Sequence, residues 1–183
     1  MNMSNIIETS RLYLRRIKQE DINDFYNIMG NKETMKYLGK TLTKEEIKNY
    51  FDSLNNTNYE SIDGEYAIVL KEKDKVIGQF SINTKKRDKR SKISYMLNSA
   101  YWNKGYITEC VLYIKKLLFE EYQINKIVAD CDVNNKASIR ILEKMGMKKE
   151  GILRQERFSQ EKNKFYDVAV FGLLYSDYLK EKH

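Results

Sequence analysis

The sequence predicts an α+β protein built on one mixed, mostly antiparallel sheet of about seven strands with about four helices. Three observations predict it. Short stretches that alternate apolar and polar residues recur along the chain: RLYLRRI from Arg11, EYAIVLK from Glu65, KVIGQFSIN from Lys75 and SKISYML from Ser91. Two longer stretches instead repeat their apolar residues every 3.6 positions, one from Tyr106 to Glu121 and one from Lys136 to Gly146. The order is strand, two helices, three strands in series, helix, strand, helix and a closing pair of strands, which fits a mixed sheet rather than a regular βαβ repeat.

Each element has its own local reason. RLYLRRI is the first strand. QEDINDFYNIM follows with acids in a first helical turn, where the helix dipole favours them. TLTKEEIKNYFDSL is a second helix, with Thr43 as N-cap and Glu46 three residues on, a capping box. EYAIVLK and KVIGQFSIN flank the turn EKDK, and Val76, Gly78, Phe80 and Ile82 share one face of the second of these strands. SKISYML repeats the alternation with Ile93, Tyr95 and Leu97. The helix from Tyr106 carries Ile107, Cys110, Val111, Ile114, Leu117 and Leu118 on one stripe. NKIVADCDV is a buried strand, so Ser91 to Val133 is a candidate right-handed crossover. KASIRILEKMG is a helix closed by Gly146 at the C′ position. KKEGILRQERF and FYDVAVFGLL form the closing antiparallel pair. With no proline, eight glycines, no repeat and no low-complexity linker, residues 1–183 are expected to form a single domain.

Composition narrows the chemistry. The only histidine is His183, the last residue, so Ser-His-Asp and Cys-His nucleophile systems and a His-ligated zinc site are not expected; the reading is no metal. Proton transfers would then fall to carboxylates, tyrosines, serines, backbone or water. Cys110 and Cys131 lie in apolar patterns and are read as core thiols rather than a disulfide. No apolar run approaches the roughly 20 residues of a membrane span, and no signal-peptide pattern opens the chain, so the cytoplasm is the expected location. The net charge of +7 suits an anionic ligand, nucleic acid or plain solubility. Its densest cluster, KKRDKR from Lys85 to Arg90, falls between two strands and reads as a solvated hairpin loop.

Two segments raise the question of phosphate binding. TMKYLGKT, Thr34 to Thr41, approaches a P-loop but lacks the first glycine and any preceding strand, so it reads as an inter-helix loop. YWNKGYITE, Tyr101 to Glu109, leads from a strand into a helix near Gly105. The first turn of a helix offers unpaired N–H groups and the positive end of the dipole. Gly105 tolerates unusual torsions, Lys104 adds a charge and Thr108 adds a hydroxyl. That pattern fits a pyrophosphate cradle and equally fits an ordinary turn.

WNKGYITE resembles motif A of the GNAT N-acetyltransferases, in which a glycine-containing loop wraps the pyrophosphate of acetyl-CoA. It is most similar to the ribosomal-protein N-terminal acetyltransferase (RimJ/RimL-like) branch, whose common form is W-G-K-G-Y-A-T-E. Three further segments resemble that branch in order: ETSRLYLRRIKQED, NNKASIRILEKMGMKKEGILR and FYDVAVFGLL. The resemblance covers nearly the whole chain. It implies the GNAT fold, with the fourth and fifth strands (SKISYML and NKIVADCDV) splayed apart and the pantetheine arm added as a pseudo-strand against Met96 and Leu97.

The same resemblance implies that amides from Asn103, Lys104, Gly105, Tyr106, Ile107 and Thr108 hold the pyrophosphate. Asn135 would bond the pantetheine arm and Ser138 would sit near the thioester sulfur; read from the residues alone, both are caps at a helix N-terminus. The implied reaction is direct transfer of acetyl from acetyl-CoA, a cosubstrate, to a primary amine, either a protein N-terminus or a small molecule. A backbone N–H near Leu97 would stabilise the developing oxyanion. Tyr95, Asp167 or a water chain would take the amine's proton, and Ser138 would relay one to the leaving thiolate. The sequence departs from the family twice. Ile107 stands where Gly or Ala is usual, its side chain expected to turn inward, and Leu142 stands where many members carry an acid tyrosine. The alternative is a non-catalytic module that binds acetyl-CoA or a partner such as RNA. An acidic mouth from Glu60, Asp63 and Glu65 is a possible acceptor feature, with a solvated loop as the plainer reading. No membrane partner is expected, nucleic acid is disfavoured, and the chain is expected to be a monomer or homodimer.

Overall fold

A computed structural model describes residues 6–54 and 61–181; Glu60 and His183 lie outside the described residues. The strands are β1 (Ile6–Glu8), β2 (Leu12–Arg16), β3 (Gly64–Leu70), β4 (Lys75–Lys85), β5 (Arg90–Leu97), β6 (Lys126–Asp132), β7 (Lys148–Ser159) and β8 (Lys164–Leu174). The helices are α1 (Ile22–Met29), α2 (Lys32–Met35), α3 (Lys44–Leu54), α4 (Tyr106–Glu120), α5 (Lys136–Lys144) and α6 (Tyr175–Glu181). One sheet takes the strands in the order β1-β2-β3-β4-β5-β6-β8-β7, and β5 with β6 is its parallel pair. This is the expected α+β architecture, with one strand and two helices more than the sequence predicted. The additions are β1, too short to display alternation, α2, a single turn, and α6, which follows β8 with no intervening loop.

Contacts divide the chain into two compact units: Met1–Ile82 with Tyr95–Tyr106, and Asn83–Ser94 with Ile107–His183. In the first, α1, α2 and α3 cover one face of β3 and β4. Phe25, Ile28, Ile47 and Phe51 pack there on Ala67, Val69 and Val76, and the rings of Phe25 and Phe51 meet edge to face at 5.0 Å. Burial of such side chains is worth about 1.5–3 kcal/mol each. Thr43 and Glu46 form the expected capping box, each backbone N–H bonding the other's side chain at 2.8 and 3.2 Å. Arg15 grips Asp21 with two 2.7 Å bonds, and Asp21 also accepts from the Lys18 amide, which fixes the step from β2 into α1.

The hairpin turns 71–74 and 86–89 are built alike: a 3-10 turn, then a left-handed residue, Asp74 (φ 43°) or Lys89 (φ 44°). KKRDKR is therefore a hairpin loop, as expected. TMKYLGKT spans the end of α2 and the loop before α3.

In the second unit, α4 buries Ile107, Cys110, Val111, Ile114 and Leu118, while Leu117 is half-buried and Phe119 replaces it in the core. β6 pairs with β8 from Lys126↔Leu174 to Asp132↔Val168, and β7 forms the exposed edge beyond β8. Lys115 is almost wholly buried; its ammonium donates to the Met145 carbonyl at 2.9 Å and to Glu181 at 2.8 Å. Gly146 takes φ +93° at the end of α5, with the Glu181 carboxylate where a side chain would stand. Both cysteines are free and buried. No described helix is long and apolar enough to cross a membrane.

Candidate active site

The parallel ladder within the second unit is short. It joins Arg90↔Lys126, Ser91↔Ile127 and Lys92↔Val128 and stops, although β5 continues to Leu97 and β6 to Asp132.

The end of β5 is held by its neighbours in the first unit. The Met96 carbonyl comes so close to β4 that a Cβ on Gly78 would lie 2.4 Å from it. Gly78 is thus a position of close backbone approach, a meaning that glycine in a strand often has. The Leu97 carbonyl accepts from Trp102 Nε1 at 2.7 Å, and the Asn98 amide donates to the Ile77 carbonyl at 2.9 Å. Tyr95 is half-buried with its ring stacked on Phe80 at 6.2 Å.

From there the chain makes a 3-10 turn, Ser99–Tyr101, capped by the Asn98 side chain, and enters the loop before α4. Asn103 (φ 60°) and Gly105 (φ 79°) are both left-handed, one residue apart, and residues 103–105 are exposed. Alternation of this kind turns successive N–H groups toward one side and makes an anion-binding concavity. A side chain on Gly105 would meet only Arg11 Nη2 at 3.5 Å, so its requirement for glycine is torsional rather than steric. Tyr106 and Ile107 open α4 as buried residues, and Thr108 is half-buried. The Ile107 side chain is buried, as its place on the apolar stripe predicts.

Arg11 was not singled out from the sequence, although it is the arginine of the ETSRLYL segment. Its Nη1 donates to the Lys104 carbonyl at 2.9 Å, and its guanidinium lies 4.6 Å from the centre of the Tyr106 ring. It braces the loop from outside and adds positive charge to it. Lys104 lies over the Tyr101 ring at 5.4 Å.

In the second unit, Asn135 is the N-cap of α5, its side-chain oxygen accepting from the Ser138 amide at 3.1 Å. This is the plain structural role considered for it, and it engages only the carboxamide oxygen. Ser138 hydrogen-bonds the Cys131 thiol. Burial pushes that thiol up to about 11, with the Ser138 hydroxyl pulling the other way, so Cys131 is a neutral partner at physiological pH. Asp167, considered as a base, accepts from the Gln155 amide at 2.9 Å and fixes the irregular stretch between β7 and β8. Leu142 is fully buried and offers no proton.

The acidic residues near 60 fall differently from one loop. Glu65 lies within β3 and accepts from Ser81 Oγ at 2.7 Å and Gln79 Nε2 at 2.6 Å. The Asp63 carbonyl, with that of Ser61, is held by the Arg16 guanidinium at 2.8 and 2.6 Å. Glu60 lies outside the described residues, so of the three acids only Asp63, in the loop, and Glu65, in the strand, are placed.

Residues 11–148 match the model of the acetyltransferase (GNAT) domain. An uncharacterized N-acetyltransferase, p20 of Bacillus licheniformis, is 29% identical over 173 residues, covering 93% of this chain and 96% of its own. Among solved structures, a GNAT-family acetyltransferase from Bacillus anthracis superposes with TM-score 0.81 at 23% identity, covering 93% of this chain and 99% of that one. Spermidine N-acetyltransferase from Vibrio cholerae, in complex with CoA and spermine, superposes with TM-score 0.77 at 18% identity, covering 93% and 99%. At such identities the solved structures speak to the fold; the family match spans β2 to β6, the loop at Gly105 and the α5 cap. The chain belongs to the GNAT acetyltransferase family and is an acyltransferase.

Proposed function

We propose that the protein transfers acetyl directly from acetyl-CoA to a primary amine, either a protein N-terminus or a small molecule. The observation that carries this reading is the loop from Asn103 to Gly105. Two left-handed residues stand in an exposed loop that leads into the first turn of a fifteen-residue helix, and Arg11 adds a cation to the same loop. An anionic diphosphate fits that combination of N–H donors and positive charge. Acetyl-CoA supplies an activated thioester to such a site.

The roles of the chain's own residues follow. Amides from Asn103 to Thr108 bind the pyrophosphate. Met96 and Leu97 present backbone to the pantetheine arm, with Trp102 fixing the Leu97 carbonyl so that it cannot rotate freely. Asn135 and Ser138 keep the roles the family resemblance gives them, Asn135 through its amide nitrogen and Ser138 as a relay. Ile107 supports the reading because its buried side chain leaves the loop clear. The RimJ/RimL-like branch rests on the four matched sequence segments.

The test is thiol release from acetyl-CoA in the presence of free-amine peptides, linear diamines, aminoglycosides and amino sugars. Acetyl transfer to at least one amine is expected. Tight CoA binding with no transfer across the panel would overturn the reading and favour a non-catalytic module.

A further inference from the structure

A polar cluster sits within the otherwise apolar interface between α3 and the sheet of the first unit. Glu65 on β3 pairs in register with Ser81 on β4, and Ala67 pairs with Gln79. The Gln79 carboxamide is over nine-tenths buried, and its Nε2 donates both to Glu65 and, at 2.6 Å, to Tyr50 Oη from α3. Both amide hydrogens are thereby used. The Gln79 Oε1 atom is buried with no hydrogen-bond partner. A buried acceptor left unsatisfied is unfavourable and marks a place for a donor.

Among the described residues no cation bonds to the cluster's carboxylate. Glu65 accepts from Gln79 and Ser81, both neutral. Burial, and after it the charge of Glu65, raises the Tyr50 hydroxyl well above its ordinary range, so Tyr50 stays neutral. A water molecule would satisfy Gln79 Oε1 but not the charge. A ligand that satisfies both is a cation with several N–H donors. Each Glu65 oxygen already accepts one bond, which leaves single lone pairs rather than an open carboxylate edge. That suits a tetrahedral ammonium better than the planar fork of a guanidinium.

The place is equally telling. Gly78, next to Gln79, is where the Met96 carbonyl closes on β4. The side chains of Tyr50 and Met96 pack on the same apolar cluster beneath α1–α3. Glu65, Gln79 and Tyr50 thus lie beside the stretch of β5 proposed above to present the thioester.

We infer that Glu65, Gln79 and Tyr50 form the acceptor subsite, where the substrate's primary ammonium is held by the Glu65 carboxylate, Gln79 Oε1 and Tyr50 Oη. This rests on the proposed acetyl transfer and names what that reaction's second substrate must carry: one ammonium group for one carboxylate. The three residues come from α3, β3 and β4, so no sequence motif joins them.

The test uses the full chain and the panel amine that the unaltered protein acetylates fastest. Glu65→Gln keeps the shape and removes the charge. It should raise KM for the amine at least tenfold, with kcat within threefold and acetyl-CoA affinity by calorimetry within twofold. Tyr50→Phe should raise the same KM about threefold, and it supplies the answer if Glu65→Gln does not fold. Glu65→Asp should recover part of the loss, which a purely structural role would not produce. Unchanged KM in the folded variants, with the unaltered protein turning over, would overturn the subsite and leave acetyl transfer standing. No transfer by the unaltered protein to any amine would remove both.

Discussion

Gly78→Ala offers a measure of how closely β4 and β5 must approach. The added methyl would lie 2.4 Å from the Met96 carbonyl oxygen, 3.1 Å from Leu97 Cδ1 and 3.3 Å from Ile68 Cδ1. The two methyl groups belong to side chains that can rotate away. The carbonyl is backbone in the interior of a sheet and cannot. Real Cβ contacts do not fall below 3.0 Å, so the strands must separate locally by at least the difference, 0.6 Å. Overpacking of this kind costs about 1–3 kcal/mol, offset by roughly 0.4–1 kcal/mol from the stiffer unfolded chain. A chain of this size loses about 2–4 °C in Tm per kcal/mol, so the net loss of up to about 2.6 kcal/mol should lower Tm by up to roughly 10 °C by thermal circular dichroism. Activity should suffer more than stability. Misplacement by about 1 Å can cost on the order of a hundredfold in rate, so kcat/KM for thiol release should drop at least about tenfold. Gly151→Ala is the control, because a methyl there meets nothing within 4 Å. If Gly78→Ala keeps Tm within 1 °C or so and leaves kcat/KM unchanged, the close approach at Met96 does not position the site.

Three further outcomes are expected. Arg11→Ala removes an exposed charged hydrogen bond to the Lys104 carbonyl and should weaken acetyl-CoA binding about fivefold by calorimetry, with a shallower salt dependence; unchanged affinity and salt slope would show that Arg11 does not serve the loop. Gly105→Ala has room for its methyl but must hold φ near +79°, a strain of roughly 1 kcal/mol; it should lower Tm by about 2–4 °C and weaken acetyl-CoA binding, and an unaffected variant would mean the loop does not need its left-handed turn. Glu46 titrates at about 2, lowered first by Lys40 and then by the Thr43 amide. A depressed carboxylate contributes stability above its unfolded value near 4.5 that is lost as pH falls toward 2. The Tm advantage over Glu46→Gln should therefore be present at pH 6 and gone near pH 2, and an advantage that persists at pH 2 would refute the capping role.

Legibility from sequence followed the range of the interactions. Strand alternation, the α4 stripe, the Thr43–Glu46 box and the hairpin turns are set by residues within a few positions of one another, and they appear where the pattern put them save that Phe119 stands in the core in place of Leu117. The left-handed Gly105 and the inward Ile107 were readable for the same reason. Asn103 could have been added, since asparagine tolerates positive φ. The Arg11 brace spans 93 residues and the Gln79–Tyr50 bond spans 29, so neither leaves a local trace. The meaning of Gly78 depends on a neighbouring strand's carbonyl, which alternation along its own strand cannot reveal. Asn135 was ambiguous because a cap and a ligand contact need the same residue at the same helix start.

Lys115 makes the far end of the chain an integral part of the second unit. Its ammonium is shared by the Met145 carbonyl, at the end of α5, and Glu181, in the last described turn. Trimming the chain before Glu181 would strand a nearly buried cation with one neutral partner, and a fusion forced tightly against α6 would pull on the same contact. Affinity handles, fluorophores and surface attachments joined after α6 therefore call for a flexible spacer. A truncation series read by hydrogen exchange should show α4 and the end of α5 loosening together once Glu181 is gone, because its carboxylate joins the Tyr178–Glu120 bond and the Phe119–Tyr178 stack in tying α6 to them.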